Sequence, residues 1–390
     1  MPGAGDQAAA YVSCRSRRLP ACFSDAVIAV CKLTSPVPVI PPLASLCASG
    51  LPGYSEREGE VFSAAASSLH PRHRLPFVLS RVAASAAIAS LSAGESATDL
   101  RTKGRPPLTV FTDRREAAPM LHGCRLSISH EDSVAASVAW PISSLDAPFD
   151  GCGAAPTSLD GGVRLSHSFS TPVGVRAASF AYAIDVVDVG EVHRVRSRFP
   201  QLGQRWVPQC TTAASAEEVR YGLACLQQRQ RAWVAGARVP EDSNGGKGIR
   251  TSQAADRRER WWEHLPTPCS SEADAYAAVV LAQHWGAREC AVKLVGIPGR
   301  SFAYKCVRAL SSQNGGAVAA ESATFTASFM VPNTVYCAEV SGVEVCTLAQ
   351  RGLQPRLYLY TWAEWAPLNT VVDLPYVIML ACAPRLSGKR

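Results

Sequence analysis

The hydrophobic pattern of this chain runs strand, helices, strands, and it does so twice. In the first round the segment DAVIAVCKL from Asp25 alternates enough to be a strand, and a Pro-rich connection follows at 36–42. From 55 to about 93 apolar residues recur at helical spacing. Leu75, Val78, Leu79 and Val82 share one face there, and Pro71 and Pro76 are expected to break the run into separate helices. Strands are expected at 108–112 and from Ser127 through SVAASVAW. The second round has an apolar strand at 181–189, a helix at 274–295, and strands at 335–338, 343–347, 356–360 and 376–383. A sheet with helices on one face must bury that face, so this order argues for an α+β chain of two halves meeting near 175–180. The reading divides the chain into an N-terminal segment 1–25, disordered or targeting, a first half 26–175 and a second half 176–390. Residues 141–175 read as a long loop, and about 226–268 as a surface insertion contributing little to the core.

Composition narrows the class of protein further. The 390 residues are 47% hydrophobic and 18% charged, which supports one large or two ordinary cores. Fourteen cysteines are scattered with no CxxC pair and no Cys/His cluster at zinc spacing, so they read as reduced thiols. The apolar runs, such as 376–383, stop well short of the roughly 20 residues that a membrane-spanning helix needs, so no membrane partner is expected. Arg15, Arg17 and Arg18 against the single acid Asp6 loosely fit an organellar transit peptide, while Pro2, Gly3 and Gly5 oppose an amphipathic helix there. The expected location is cytoplasmic, with mitochondrial as the alternative. A net charge of +7 favours an acidic partner.

Three segments carry chemistry. AIDVVDV puts Asp185 inside an apolar strand, where a lone carboxylate costs several kcal/mol unless it meets a cation or metal. WGARECAVKLVG spaces Trp285, Glu289 and Lys293 four apart, on one side of a helix. LSISHEDSVAASVAW places His130 at the end of a serine-rich turn before an alternating strand. Each has an ordinary structural reading when taken singly: Asp185 as a turn or capping carboxylate, Glu289 with Lys293 as a surface ion pair, His130 as a hydrogen-bonded histidine, and Trp285 as core.

In this order the segments resemble the 4'-phosphopantetheinyl transferase superfamily, with its serine-histidine turn, aspartate strand and W-x-x-K/R-E-x-x-x-K helix. They look like its two-halved members, of the surfactin-synthetase-activating type. AAP at 117–119 sits where the family has a Gly-x-Pro turn, and RHRLPFVLSR at 72–81 resembles the family helix R-x-L-L-G-x-x-L-x-R. The wording SISHE, and EVHRVRSRF after the aspartate, is similar to the small holo-acyl-carrier-protein synthases. The resemblance touches about 60–140, 180–225 and 275–385. Val187 stands where bacterial members often have a second acidic ligand, and Arg288 replaces the usual lysine before the glutamate.

The resemblance implies a pseudo-duplicated fold with the site in the cleft between its halves, and a monomer that is a pseudo-dimer. It implies transfer of 4'-phosphopantetheine from coenzyme A to a serine of an apo acyl carrier protein, releasing 3',5'-ADP, as in fatty acid biosynthesis. Magnesium is the implied cofactor and coenzyme A the co-substrate. Asp185 and Glu289 are the implied metal ligands, and Glu289 also takes the serine proton. Lys293 meets the phosphate or leaving group. His130 contacts the 3'-phosphate, and Arg72 belongs to the nucleotide end. Arg194, Arg196 and Arg198 form a cationic stretch that could steer an acidic carrier protein, or a solvated face. No nucleic-acid partner is expected. Two rivals remain: a metal-dependent phosphodiesterase or nuclease, and a non-catalytic relic acting as a binding protein. Against the first, a common nuclease core has its acid and lysine two apart on a strand, whereas Glu289 and Lys293 are four apart in a helical context.

Overall fold

Why the strands of this chain read as apolar runs rather than clean alternations becomes plain from the layering. The computed structural model describes residues 12–17, 19, 23, 25–34, 60, 64–93, 120–121, 124–141, 180–201, 214–236, 260–295, 307–312, 329–340, 344–367 and 373–386. These form a mixed α+β structure with two antiparallel sheets. The first half contributes β1 (Val12–Arg17), β2 (Val27–Leu33), helix α1 (Pro71–Ala93), β3 (Met120–Leu121), β4 (Cys124–Glu131) and β5 (Val134–Pro141), with sheet order β1-β2-β5-β4-β3. The second half contributes β6 (Phe180–Asp188), α2 (Val189–Arg198), α3 (Ala216–Gly236), α4 (Glu272–Val295), β7 (Val307–Ser312), β8 (Val335–Val340), α5 (Glu344–Gln350), β9 (Arg356–Pro367) and β10 (Asp373–Pro384). Its sheet order is β6-β10-β9-β8-β7.

The two orders correspond. In each half an early strand, β2 or β6, pairs with the half's last strand, β5 or β10, which in turn pairs with the strand before it. In each half a long helix separates the early strand from the later ones and packs on one sheet face. The layers run α1, first sheet, second sheet, α4. Ala29, Cys31, Leu33, Ala135 and Ala139 pack under α1. Their neighbours Ile28, Val30, Val134, Val138 and Trp140 turn the other way, onto Tyr182, Ile184, Tyr360, Trp362, Ile378 and Leu380 of the second sheet. Beyond it, Ala183, Leu359, Met379 and Ala381 meet α4 through Ala287, Cys290, Ala291 and Leu294. Central strands buried on both faces have no polar side, which explains runs such as YVIMLACA at 376–383. Between the halves, Lys32 Nζ reaches Glu364 Oε2 and the Trp365 carbonyl, both at 3.0 Å.

Several expectations need correction. Residues 12–17, placed in a disordered or targeting segment, form β1, and Phe23 is fully buried between the sheets. An edge strand needs only one apolar face, and VSCRSR offers only Val12 and Cys14 to the core, too little to register as a pattern. The single strand from Ser127 through Trp140 is a hairpin, β4 and β5, turning at Asp132 and Ser133. Pro71 opens α1, where its missing N–H costs nothing, but Pro76 lies within the continuous helix because burial of Val78, Leu79, Val82 and Ala83 holds the helix through it. Of residues 343–347, expected as a strand, 344–347 belong to α5 at Glu344–Gln350. Its end is a Schellman cap: the Gly352 N–H bonds the Ala349 carbonyl, the Leu353 N–H bonds the Leu348 carbonyl, and Gly352 has φ +68°. The stretch about 226–268 is only partly an insertion. Helix α3 runs to Gly236, and Trp261, Trp262 and Leu265 are core, with the Trp261 ring edge-on to Trp365. Its polar composition masked a pair of tryptophans that plug one end of α4. The expected strand at 108–112 and most of the loop at 141–175 lie outside the described residues, as does the turn at 117–119.

Helix α1 is long and apolar enough to cross a membrane by length and composition, and here it is the cover of the first sheet.

Candidate active site at the seam of the two halves

The edge of the second sheet, β6, is where the site is built. Its pairing with β10 uses one side of the strand, leaving outward groups at Ile184 and Val186 on a sheet edge that must be capped. Two serines of β4, two residues apart and therefore on one face, do this. The Ser127 hydroxyl accepts the Ile184 N–H at 3.2 Å, and the Ser129 hydroxyl accepts the Val186 N–H at 3.1 Å. Ser129 then donates its own proton to Asp185 Oδ1 at 2.9 Å. The serines thus join the halves by side-chain bonds in place of a backbone ladder.

Asp185 lies on the helix-facing side of β6, as do Ala183 and Val187. Helix α4 begins with Ser271 accepting the Asp274 N–H at 3.2 Å, and the Asp274 carboxylate returns to Ser270. Further along, Gly286 lets the helix approach the sheet: a Cβ there would sit 3.0 Å from Met379 Cβ and 3.3 Å from Val187 Cγ2. That approach brings the next turns down on the β6 edge. Lys293 Nζ donates to Asp185 Oδ1 at 2.8 Å and to the Ile184 carbonyl at 2.7 Å. Burial alone would depress the Lys293 ammonium, but Asp185, with Cys290 and Glu289, outweighs it and holds the pKa above its ordinary value. Glu289, half-buried one turn earlier, is pushed up by burial and then by the Asp185 charge, with Lys293 pulling the other way. Trp285 packs partly buried against the core.

His130 stands exposed near the hairpin end of β4. Its pKa is lowered first by the partial loss of solvent to the protein atoms around the ring, then by Arg81, Lys293 and His73. Asp185, Glu289 and Lys293 therefore act on one another directly, and His130 joins them through the charge of Lys293. Arg72 is not drawn into that set by any bond described: it is exposed on the first turn of α1, with its Nε on His73 Nε2 at 3.1 Å. The groups of α1 that act on His130 are Arg81 and His73. Arg81 lies 4.6 Å over the Phe77 ring, and burial lowers its pKa. Both stand in the RHRLPFVLSR segment, so the signal was there and only the choice of residue differed.

Sequence reasoning also missed Glu131. It is half-buried and pushed up to about 8 by burial, then by Asp188, Asp185, Asp132 and Glu191. Asp188 has a separate task as the N-cap of α2, accepting the Gly190 and Glu191 N–H groups at 2.7 and 3.3 Å. Arg194 is bonded to Glu191 at 2.7 Å and Arg196 to Asp274 at 3.0 Å, so two of the three arginines of the cationic stretch already have carboxylate partners.

Among the described residues no group of three or more His, Cys, Asp or Glu is disposed to hold a metal ion. A pair of carboxylates does fit magnesium, which keeps several waters and takes hard oxygen ligands. Asp185 and Glu289 are such a pair, and their mutual repulsion is the charge a cation would relieve. The chain matches no protein-family model, no curated protein and no solved structure.

Proposed function

We propose that the protein is a 4'-phosphopantetheinyl transferase, moving phosphopantetheine from coenzyme A to a serine of an apo acyl carrier protein. The observation that carries the reading is the convergence of Asp185, Glu289, Lys293 and His130 at one seam between two α+β halves. Asp185 and Glu289 would hold magnesium, which would supply neutralising charge at the pyrophosphate. The carrier serine hydroxyl attacks the phosphorus bearing pantetheine, and 3',5'-ADP leaves. Glu289, one turn before Lys293 on the same helix, takes the serine proton. Lys293 turns its ammonium to a phosphate oxygen as charge builds there. His130, with His73 and Arg81 behind it, faces the 3'-phosphate. In this reading the chain adopts the pseudo-duplicated fold of the family as a monomer in the cytoplasm.

The test is to mix the protein with magnesium, coenzyme A and an apo acyl carrier protein and to look by mass spectrometry for the phosphopantetheine adduct. An adduct that is lost with Glu289→Ala supports the reading. Coenzyme A bound without any adduct, across fatty-acid, polyketide and amino-acid-activating carriers, points to the non-catalytic relic instead. The direct Lys293–Asp185 ion pair is the one observation favouring that alternative, because it occupies both groups without a ligand.

A further inference from the structure

Away from the seam, the edge of the first sheet carries two thiols whose placement the proposed transfer does not use. Cys14 on β1 and Cys31 on β2 are direct cross-strand partners in the antiparallel register. Both side chains turn to the α1 face of the sheet, where Cys31 is fully buried and Cys14 is partly exposed. Directly opposed residues of an antiparallel pair have Cα atoms about 4.5 or 5.5 Å apart, depending on their place in the hydrogen-bond ladder. Both separations lie inside the range of roughly 4.4–6.8 Å that a disulfide spans without backbone movement. The two thiols are also near enough to act on each other directly.

We propose that Cys14 and Cys31 form a reversible disulfide under oxidation, and that it ties the N-terminal edge strand to the sheet. The oxidant is a peroxide. Cys14, the partner that solvent reaches, loses its proton and attacks hydrogen peroxide, giving a Cys14 sulfenic acid and one water. The Cys31 sulfur then attacks the Cys14 sulfur, its proton and the sulfenic hydroxyl leaving as a second water. Two thiols are oxidised by two electrons and one peroxide is reduced to two waters. Burial, then the Cys14 thiol, raises the Cys31 pKa well above the ordinary value, which is why the first attack falls to Cys14. Strand β1 is the element this bond secures: among the described strands it is the outermost of its sheet and pairs with β2 alone. The closed loop runs from Cys14 to Cys31, long enough for the cross-link to remove substantial freedom from the unfolded chain.

The full chain is treated with hydrogen peroxide, its remaining thiols are alkylated, and the non-reduced digest is read by mass spectrometry. The expected result is a peptide pair joined through Cys14 and Cys31, absent after treatment with a thiol reductant and absent in Cys14→Ser. The oxidised wild type should also melt a few degrees higher than the reduced protein, and Cys14→Ser should show no such rise. Cys14 is chosen because its side chain is partly exposed, so the serine variant folds. Cys14 that stays alkylatable after oxidation, Cys14 joined to a different cysteine, or a linked pair with no change in melting would each overturn the proposal.

Discussion

Replacing Ser127 by alanine removes one oxygen and orphans one backbone donor at the junction of the halves. Ser127 is 6% exposed and Ile184 is 0% exposed, so no room is left for water to satisfy the Ile184 N–H. A buried donor stripped of its acceptor costs about 1–3 kcal/mol. Ser129→Ala orphans the Val186 N–H in the same way and also takes a charge-assisted bond from Asp185, worth about 1.5–3 kcal/mol in isolation. Ser129 is only half-buried, however, and Lys293 still holds the same carboxylate oxygen, so water and the ammonium offset part of that loss. Both variants should therefore lose about 1–3 kcal/mol, whereas phosphopantetheine transfer should fall further for Ser129→Ala because Asp185 loses one of the two bonds on its Oδ1. Ser137→Ala is the control. Its hydroxyl donates to the Ser127 carbonyl at 3.3 Å within the first sheet, so its removal deletes a bond without orphaning a donor. Urea unfolding followed by tryptophan fluorescence reads the stabilities. Ser127→Ala costing no more than Ser137→Ala would show that the serines do not hold the seam.

Three shorter expectations follow from the same geometry. Asp185→Ala leaves the Lys293 ammonium without its carboxylate and should destabilise the protein by about 3 kcal/mol, while Glu289→Ala relieves repulsion against Asp185 and should be neutral or slightly stabilising; both should nearly abolish transfer, and calorimetric unfolding beside a transfer assay separates the two effects. Gly286→Leu drives a side chain into Met379 and Val187 and lifts the turns bearing Glu289 and Lys293, so transfer should drop on the order of 100-fold, and unchanged kcat would refute the close-approach argument. Glu131 has a folded pKa of about 8 against an ordinary 4.5, so the unfolded chain sheds its proton first and stability falls as pH rises through that window. Glu131→Gln should match wild type near pH 4.5 and exceed it at pH 8, as read by denaturation at the two pH values.

Sequence carried the helix of Glu289 and Lys293 and the strand of Asp185 because each is a long element whose apolar residues dominate its composition. It also carried the four-residue spacing that puts Glu289 and Lys293 on one side of α4, since helix geometry is local. Their meeting with His130 rests on which strand of one sheet lies across the edge of another, and nothing local to Ser127 or Ser129 reveals that their acceptors are the N–H groups of Ile184 and Val186. For the same reason the sequence pointed to Arg72 while Arg81 is the arginine of α1 that acts on His130, a matter of tertiary contact between α1 and β4. Strand β1 and the Trp261–Trp262 pair were hidden in polar surroundings, where a few buried side chains do not set a period. Asp188 as the cap of α2 went unread, because the short helix it opens was itself not expected from the sequence.

The Lys293–Asp185 bond has a consequence for how two ligands would bind, and it gives the sharpest separation between a resting ion pair and a working site. An anionic phosphate that draws Lys293 away from Asp185 leaves a carboxylate beside Glu289 with its charge no longer balanced. A divalent cation at Asp185 and Glu289 restores that balance, while displacing Lys293 toward whatever anion is near. Each ligand thus creates the demand the other meets, and their binding should be coupled by about 1–3 kcal/mol, equivalent to roughly 5–150-fold in affinity. Coenzyme A affinity measured by calorimetry should then rise by that factor when magnesium replaces chelator. Lys293→Met, which keeps the stem length and removes the ammonium, should weaken coenzyme A binding and shrink the magnesium effect, because the exchange of partners no longer takes place. His130→Ala should weaken coenzyme A binding while leaving the magnesium effect in place, since its charge contacts are with Arg81, Lys293 and His73 rather than with the carboxylate pair. If coenzyme A bound equally well with magnesium and with chelator, the ion pair would be structural, and Asp185 would have no part in holding a cation.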